Sequence, residues 1–195
     1  MTLFTIAFTL FLIMDPIGNV TPFLNMTEDF SSKKRRWIVI REMGIALGFM
    51  LFFTFLGEYL FNILNISEVA LKISSGLILF LIALQILIPH FDSMRESLPK
   101  GEPFFTPLAV PLIAGPSLLT TIMLFTHLEP SVSLMLFSIA LAWGAATAVL
   151  FFSEKLQRIL GINGLQVCEN LMGMILILLA IQRFMDGVGQ LLTSG

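Results

Sequence analysis

A lone cysteine, Cys168, leaves the chain without a partner for an internal disulfide and without a cysteine-ligated metal cluster. Charge is scarce: 12% of the residues are charged, and the net charge of -2 gives no hint of a nucleic-acid partner. No Gly-x4-Gly-Lys-Ser/Thr loop occurs, which argues against an ATP-driven pump. The only histidines, His90 and His127, stand in separate stretches with no metal-ligand spacing. A nucleophile elbow and a pair of catalytic carboxylates are also missing from the sequence, so no enzyme, cofactor or metal is expected. The N-terminal stretch lacks a basic leader and a small-residue cleavage site, so it reads as a retained first span and not as a signal peptide.

What the chain has instead is grease. At 56% hydrophobic and a mean hydropathy of +0.93, its 195 residues carry far more apolar surface than a water-soluble domain of this size needs. Apolar runs stand at about 3–25, 38–59, 69–89, 105–126, 133–152 and 165–185. They do not alternate with polar residues as barrel strands would. Each is near the roughly 20 residues that a helix needs to cross a bilayer. The connections are short, so residues 1–195 read as a single membrane domain with the lipid bilayer as its main partner.

Lysine and arginine collect in alternate connections. Residues 26–37 carry Lys33, Lys34, Arg35 and Arg36, residues 90–104 carry Arg95 and Lys100, and residues 153–164 carry Lys155 and Arg158. The intervening connections, 60–68 and 127–132, carry none. The positive-inside rule puts the basic loops in the cytoplasm and both termini on the non-cytoplasmic side of a cell (inner) membrane.

The two halves repeat one another, about 1–90 against 104–190. A shift of 100 brings Pro16, Thr21 and Leu24 onto Pro116, Thr121 and Leu124, and shifts of 96 and 97 bring Gly48, Glu58, Gly76 and Gln85 onto Gly144, Glu154, Gly173 and Gln182. Three spans per repeat is an odd number, so the halves must lie inverted in the membrane. The fold class expected is all-α: six transmembrane helices as two inverted three-helix repeats, the first and fourth broken at midplane. Secondary transporters use this plan and bind solute on the broken helices.

The break in the first span is Asp15-Pro16-Ile17-Gly18-Asn19-Val20-Thr21-Pro22, and its partner in the fourth is centred on Gly115-Pro116-Ser117. Proline removes a backbone donor and clashes with the carbonyl four residues back, so Pro16 should free the carbonyl of Leu12 and Pro22 that of Gly18. Freed groups at membrane depth need protein partners or a water-filled cavity. Gly18 and Gly115 let a ligand approach the backbone. Asn19, Thr21, Ser117, Thr120 and Thr121 add neutral hydrogen-bonding groups. Asp15 is the one carboxylate near a midplane, where its charge costs at least about 2.5–3.5 kcal/mol. It is a candidate for proton or cation coupling, or a cap for the second half-helix. These ten residues form the expected substrate- or ion-binding site. The plainer alternative is a pair of proline kinks packed against neighbours.

Other embedded polar residues have a plainer reading. Glu42, Lys72 and Glu169 each fall about one turn inside a membrane surface, as snorkelling or capping residues do. Gln85 and Gln182 suit interhelical hydrogen bonds. Gly44-x3-Gly48 and Ala140-x3-Gly144-x3-Ala148 are small-residue stripes that permit close helix contact, either against the broken helices of the same chain or in a homo-oligomer.

Three stretches carry a likeness to a known family. Asp15-Pro-Ile-Gly-Asn-Val-Thr-Pro-Phe23, the Gly76-Leu-Ile-Leu-Phe80 run followed by Ala83-Leu84, and Pro107-Leu-Ala-Val-Pro-Leu-Ile-Ala-Gly-Pro-Ser117 resemble the MarC family (UPF0056) of bacterial integral membrane proteins. The resemblance spans essentially the whole chain. Where members of the family often have Gly-Pro-Gly, this chain has Gly115-Pro116-Ser117. The family is grouped with lysine-exporter-like transporters and has no established substrate. The resemblance therefore implies a membrane protein and leaves two functions open. One is a secondary transporter or exporter of a small polar solute; the other is a passive channel or non-transporting scaffold.

Overall fold

The computed structural model describes residues 2–64, 67–88, 115–128 and 131–194. Within them the chain forms seven helices and no strand: α1 (Leu3–Met14), α2 (Val20–Met26), α3 (Ser32–Leu64), α4 (Glu68–Leu87), α5 (Pro116–Leu128), α6 (Val132–Phe151) and α7 (Ser153–Ser194). Several starts are set by hydroxyl caps. Thr2 accepts from the Thr5 amide, Ser67 from that of Ala70 and Ser131 from that of Leu134, each satisfying one orphan donor of a first turn. Three helices contain stretches long and apolar enough to cross a membrane, at Ser32–Gly57, Val132–Phe151 and Ser153–Leu192.

The helices run past the expected boundaries. Residues 32–37 and 60–64, read as connections, are turns of α3. Residues 153–164, also read as a loop, are helical and joined to the last span through a kink at Gly161. Polarity misled the reading there: Glu154, Lys155, Gln157 and Arg158 are good helix formers even though they do not belong in lipid.

The long helices bury one stripe and leave an apolar stripe outside. In α6 the buried residues Met135, Ile139, Ala142, Ala146 and Leu150 recur at helical spacing, whereas Phe137 and Leu141 face outward. Outward residues such as Phe4, Trp37, Phe52, Phe55, Val167 and Leu178 form an apolar exterior that suits acyl chains and not water.

Packing pairs the two halves. α1 lies along α6 and α5 along α3, while α2 meets α7 and α5 meets α4. The most extensive contact joins α4 to α7. It depends on glycine: a Cβ on Gly76 would come within 2.6 Å of the Phe184 amide nitrogen, and one on Gly187 within 2.7 Å of the Ile73 side chain. Ser138 donates to the Leu3 carbonyl (3.2 Å), tying α6 to the start of α1, and the Trp143 indole donates to the Met43 carbonyl (2.7 Å), tying α6 to α3.

The small-residue stripes are not used in this way. A Cβ on Gly44, Gly48 or Gly144 would meet nothing within 4 Å, so these faces do not pack against the broken helix. Glu42 does not snorkel either. It is fully buried, with its Oε1 held by Arg41 at 2.7 Å, and Arg41 stacks over Trp37.

Candidate functional site

The first helix stops at Asp15 because the backbone turns left-handed there, with φ 42° and ψ 56°. Pro16 disfavours a further right-handed helical residue before it, and aspartate is among the few side chains that tolerate the left-handed region. The reversal also answers the question of the freed carbonyl. Leu12 O, which Pro16 cannot serve, accepts from the Asp15 amide at 3.1 Å.

The polar side chains finish the turn. Asp15 Oδ1 accepts from the Gly18 amide (3.1 Å), and Asn19 Nδ2 donates to the Met14 carbonyl at the end of α1 (2.9 Å). Asp15 and Asn19 are 2% and 1% exposed, so both hydrogen bonds are made away from solvent. Pro22 breaks nothing. It sits in the first turn of α2, where its missing amide would have had no intrahelical partner. Pro116 behaves alike as the first residue of α5. Both prolines mark helix starts and not mid-helix kinks.

Gly18 is where the site becomes more than a turn. A Cβ there would collide with Asp15 Oδ2 and lie 2.5 Å from Glu169 Oε1. The carboxylate of the break and a carboxylate of α7 therefore crowd the same small volume, which exists because residue 18 has no side chain. Carboxylate oxygens brought together at the junction of two half-helices can take a cation or exchange a proton.

Glu169, expected to snorkel or cap, is half-buried beside Gly18. Its signal lay in the spacing: Leu165, Met172, Leu176 and Ala180 form the buried stripe of α7, and position 169 falls on the same stripe. What the sequence could not supply was the neighbour, since Asp15 and Glu169 belong to opposite ends of the chain. Lys72 is likewise tied inward, its Nζ donating to Gln190 Oε1 at 2.6 Å.

The expected site divides. Asp15, Pro16, Gly18 and Asn19 form one turn, and Thr21 is half-buried on the first turn of α2. Gly115 is buried at the head of α5, and Thr121 is buried within it, whereas Thr120 faces outward. The side chains of Pro116 and Ser117, the Pro107–Ala114 half of the second motif, and His90 fall outside the described residues. Among the described residues no group of three or more His, Cys, Asp or Glu side chains is placed to hold a metal ion.

Comparison with known proteins agrees with this membrane architecture. Residues 1–192 match the family described as "MarC family integral membrane protein". This chain belongs to the MarC family. It is 42% identical over 188 residues to a "UPF0056 membrane protein" of Buchnera aphidicola, covering 94% of each chain. It is 42% identical over 184 residues to the "UPF0056 inner membrane protein YhgN" of Escherichia coli, covering 93% of each. A UPF0056 membrane protein of Chlamydia pneumoniae is 28% identical over 190 residues. No solved structure matches.

Proposed function

We propose that this MarC-family protein is a secondary transporter of a small polar solute, working by alternating access about the α1–α2 break. The observation that carries the reading is the buried turn itself. A membrane anchor needs no carboxylate, asparagine and glycine at a helix junction, and still less a second carboxylate converging on that glycine. Asp15 and Glu169 are the coupling groups in this reading, exchanging a proton or another cation as the solute moves. Gly18, Asn19 and Thr21 offer backbone and side-chain hydrogen bonds beside them. Gly115 at the head of α5 and the buried Thr121 within it are the corresponding groups of the second half in this reading.

Reciprocal packing supports two inverted repeats of three spans. The first helix of each half lies on the second helix of the other, as α1 does on α6 and α5 on α3, and the two third helices, α4 and α7, lie on each other. Counting α1 and α2 as one interrupted span gives six. The basic residues Lys33, Lys34, Arg35, Arg36, Lys155 and Arg158 orient the protein with those turns in the cytoplasm and both termini outside. The compartment is the bacterial inner membrane, in line with the printed name of the Escherichia coli relative. The reading invokes no chemistry on the solute, so the protein is not an enzyme.

Flux through the purified protein in liposomes tests the proposal. Saturable flux of a polar solute, driven by an imposed proton or sodium gradient and lowered at least tenfold by Asp15→Asn, is the expected result. Unchanged flux in Asp15→Asn and in Pro116→Ala would remove the site assignment. Flux that neither saturates nor responds to a gradient would mark a passive channel, and no flux of any solute would mark a scaffold.

A further inference from the structure

The half-helix Ser153–Leu160 ends at Gly161, whose φ of 68° and ψ of 176° fall in a region open essentially to glycine alone. This elbow does not hang free. Ser32 Oγ donates to Glu154 Oε2 at 3.0 Å, and Arg35 Nη1 pairs with Glu154 Oε1 at 3.1 Å. Arg35 then gathers the turn that follows α2, donating from Nε to the Thr27 carbonyl (2.8 Å) and from Nη2 to the Glu28 carbonyl (2.9 Å). One arginine thus binds the end of the α2 segment, the start of α3 and the elbow of α7 into a single knot.

Beside the knot is an open cavity of about 750 Å³, walled by Leu24, Asn25, Gln157, Arg158 and Ile162 together with the knot residues. Thr21 stands one turn before Asn25 on the same face of α2, and Glu169 stands two turns, about 10 Å, beyond Ile162 on nearly the same face of α7. The two helices that wall the cavity, α2 and α7, therefore run from it toward the turn where Asp15 and Glu169 meet.

From this arrangement we infer that the Ser32–Arg35–Glu154 knot is the gate of the basic-loop mouth, and that the elbow swings about Gly161 to open it. The inference rests on the transport reading for its purpose but not for its mechanics. The elements it joins belong to opposite halves of the chain, the elements that must part in alternating access. The ion pair is partly exposed, so it can be broken at modest cost, as a gate requires. The hinge residue is already held in a conformation that is not helical.

Thiol accessibility tests the gate without any known substrate. A reporter Thr21→Cys is placed in a Cys168→Ser background, reconstituted, and reacted with an impermeant methanethiosulfonate from the basic-loop side. Glu154→Gln should raise the modification rate about two- to fivefold, the scale expected when a partly exposed ion pair is lost. Gly161→Ala, which expels the elbow from its present backbone, should raise it as well. With the knot intact, raising salt from about 0.05 to 1 M should also raise the rate, since screening weakens the pair. In Glu154→Gln the same salt step should have little effect. An unchanged rate in Glu154→Gln, or an equal salt response with and without Glu154, would overturn the gate. Gated accessibility with no flux would overturn the transport reading alone, and gradient-driven flux with ungated accessibility would overturn the gate alone.

Discussion

Adding one methyl group at residue 18 probes the meeting of the two halves most directly. In Gly18→Ala the new Cβ cannot share its space with Asp15 Oδ2 and Glu169 Oε1. Both neighbours are ends of side chains, so they can retreat, but the retreat has a cost. Asp15 must loosen or lose its hydrogen bond from the Gly18 amide, a buried charge-assisted contact of about 1.5–3 kcal/mol if Asp15 is ionised and about 0.5–1.5 kcal/mol if not. Glu169 must rotate off a stripe that is otherwise packed, within the usual overpacking range of about 1–3 kcal/mol. A net loss of about 2 kcal/mol is the expected outcome, a fall in the apparent midpoint of roughly 4–8 °C for a chain of this length. The assay is the fraction of detergent-solubilised protein that stays monodisperse after heating. The decisive measurement is the cycle with Glu169→Ala. Removing the second carboxylate opens the space, so the double variant should be at least about 1 kcal/mol more stable than the sum of the single effects predicts. Strict additivity would mean that Glu169 does not converge on Gly18, and the proposed coupling pair would fall with it.

Further tests use the same heating assay. Gly76→Ala forces a Cβ against the backbone of α7, which cannot step aside, and should cost more than Gly18→Ala, about 3 kcal/mol or more. Gly44→Ala meets open space and should lie within about 0.5 kcal/mol of the parent or be slightly more stable, because alanine is the better helix former. Trp143→Phe keeps the ring and removes the donor to the Met43 carbonyl, for an expected loss of about 0.5–1.5 kcal/mol. If Gly76→Ala proves neutral while Gly44→Ala is damaging, the assignment of inner and outer helix faces is wrong.

The hydrophobic excess alone determined that this is a helical membrane protein, because long apolar runs without alternation have no other stable form in lipid. The sequence also located the break. A proline behind an aspartate, followed by glycine and asparagine, stops a helix for local reasons, and Asp15 does turn left-handed there. Local reasoning failed where the outcome depended on distant partners. The sequence placed Pro22 and Pro116 at helix breaks, but periodicity does not say which residue begins the next half-helix, and the structure puts Pro22 in the first turn of α2 and Pro116 at the start of α5. Polarity makes residues 153–164 look like a loop, whereas they are helical and Glu154 finds its partners in Ser32 and Arg35, far away in sequence. The Gly44–Gly48 stripe, expected to pack on the broken helix or in a homo-oligomer, does not touch the broken helix, and close helix packing falls to Gly76, Gly173 and Gly187 between α4 and α7. In a helix that is apolar all round, the stripe facing protein and the stripe facing lipid have the same composition, so only tertiary structure separates them. Glu169 is the same limit at the site. Its position on a helical stripe was readable, but its meeting with Asp15 over Gly18 exists only once the last helix is packed against the first break.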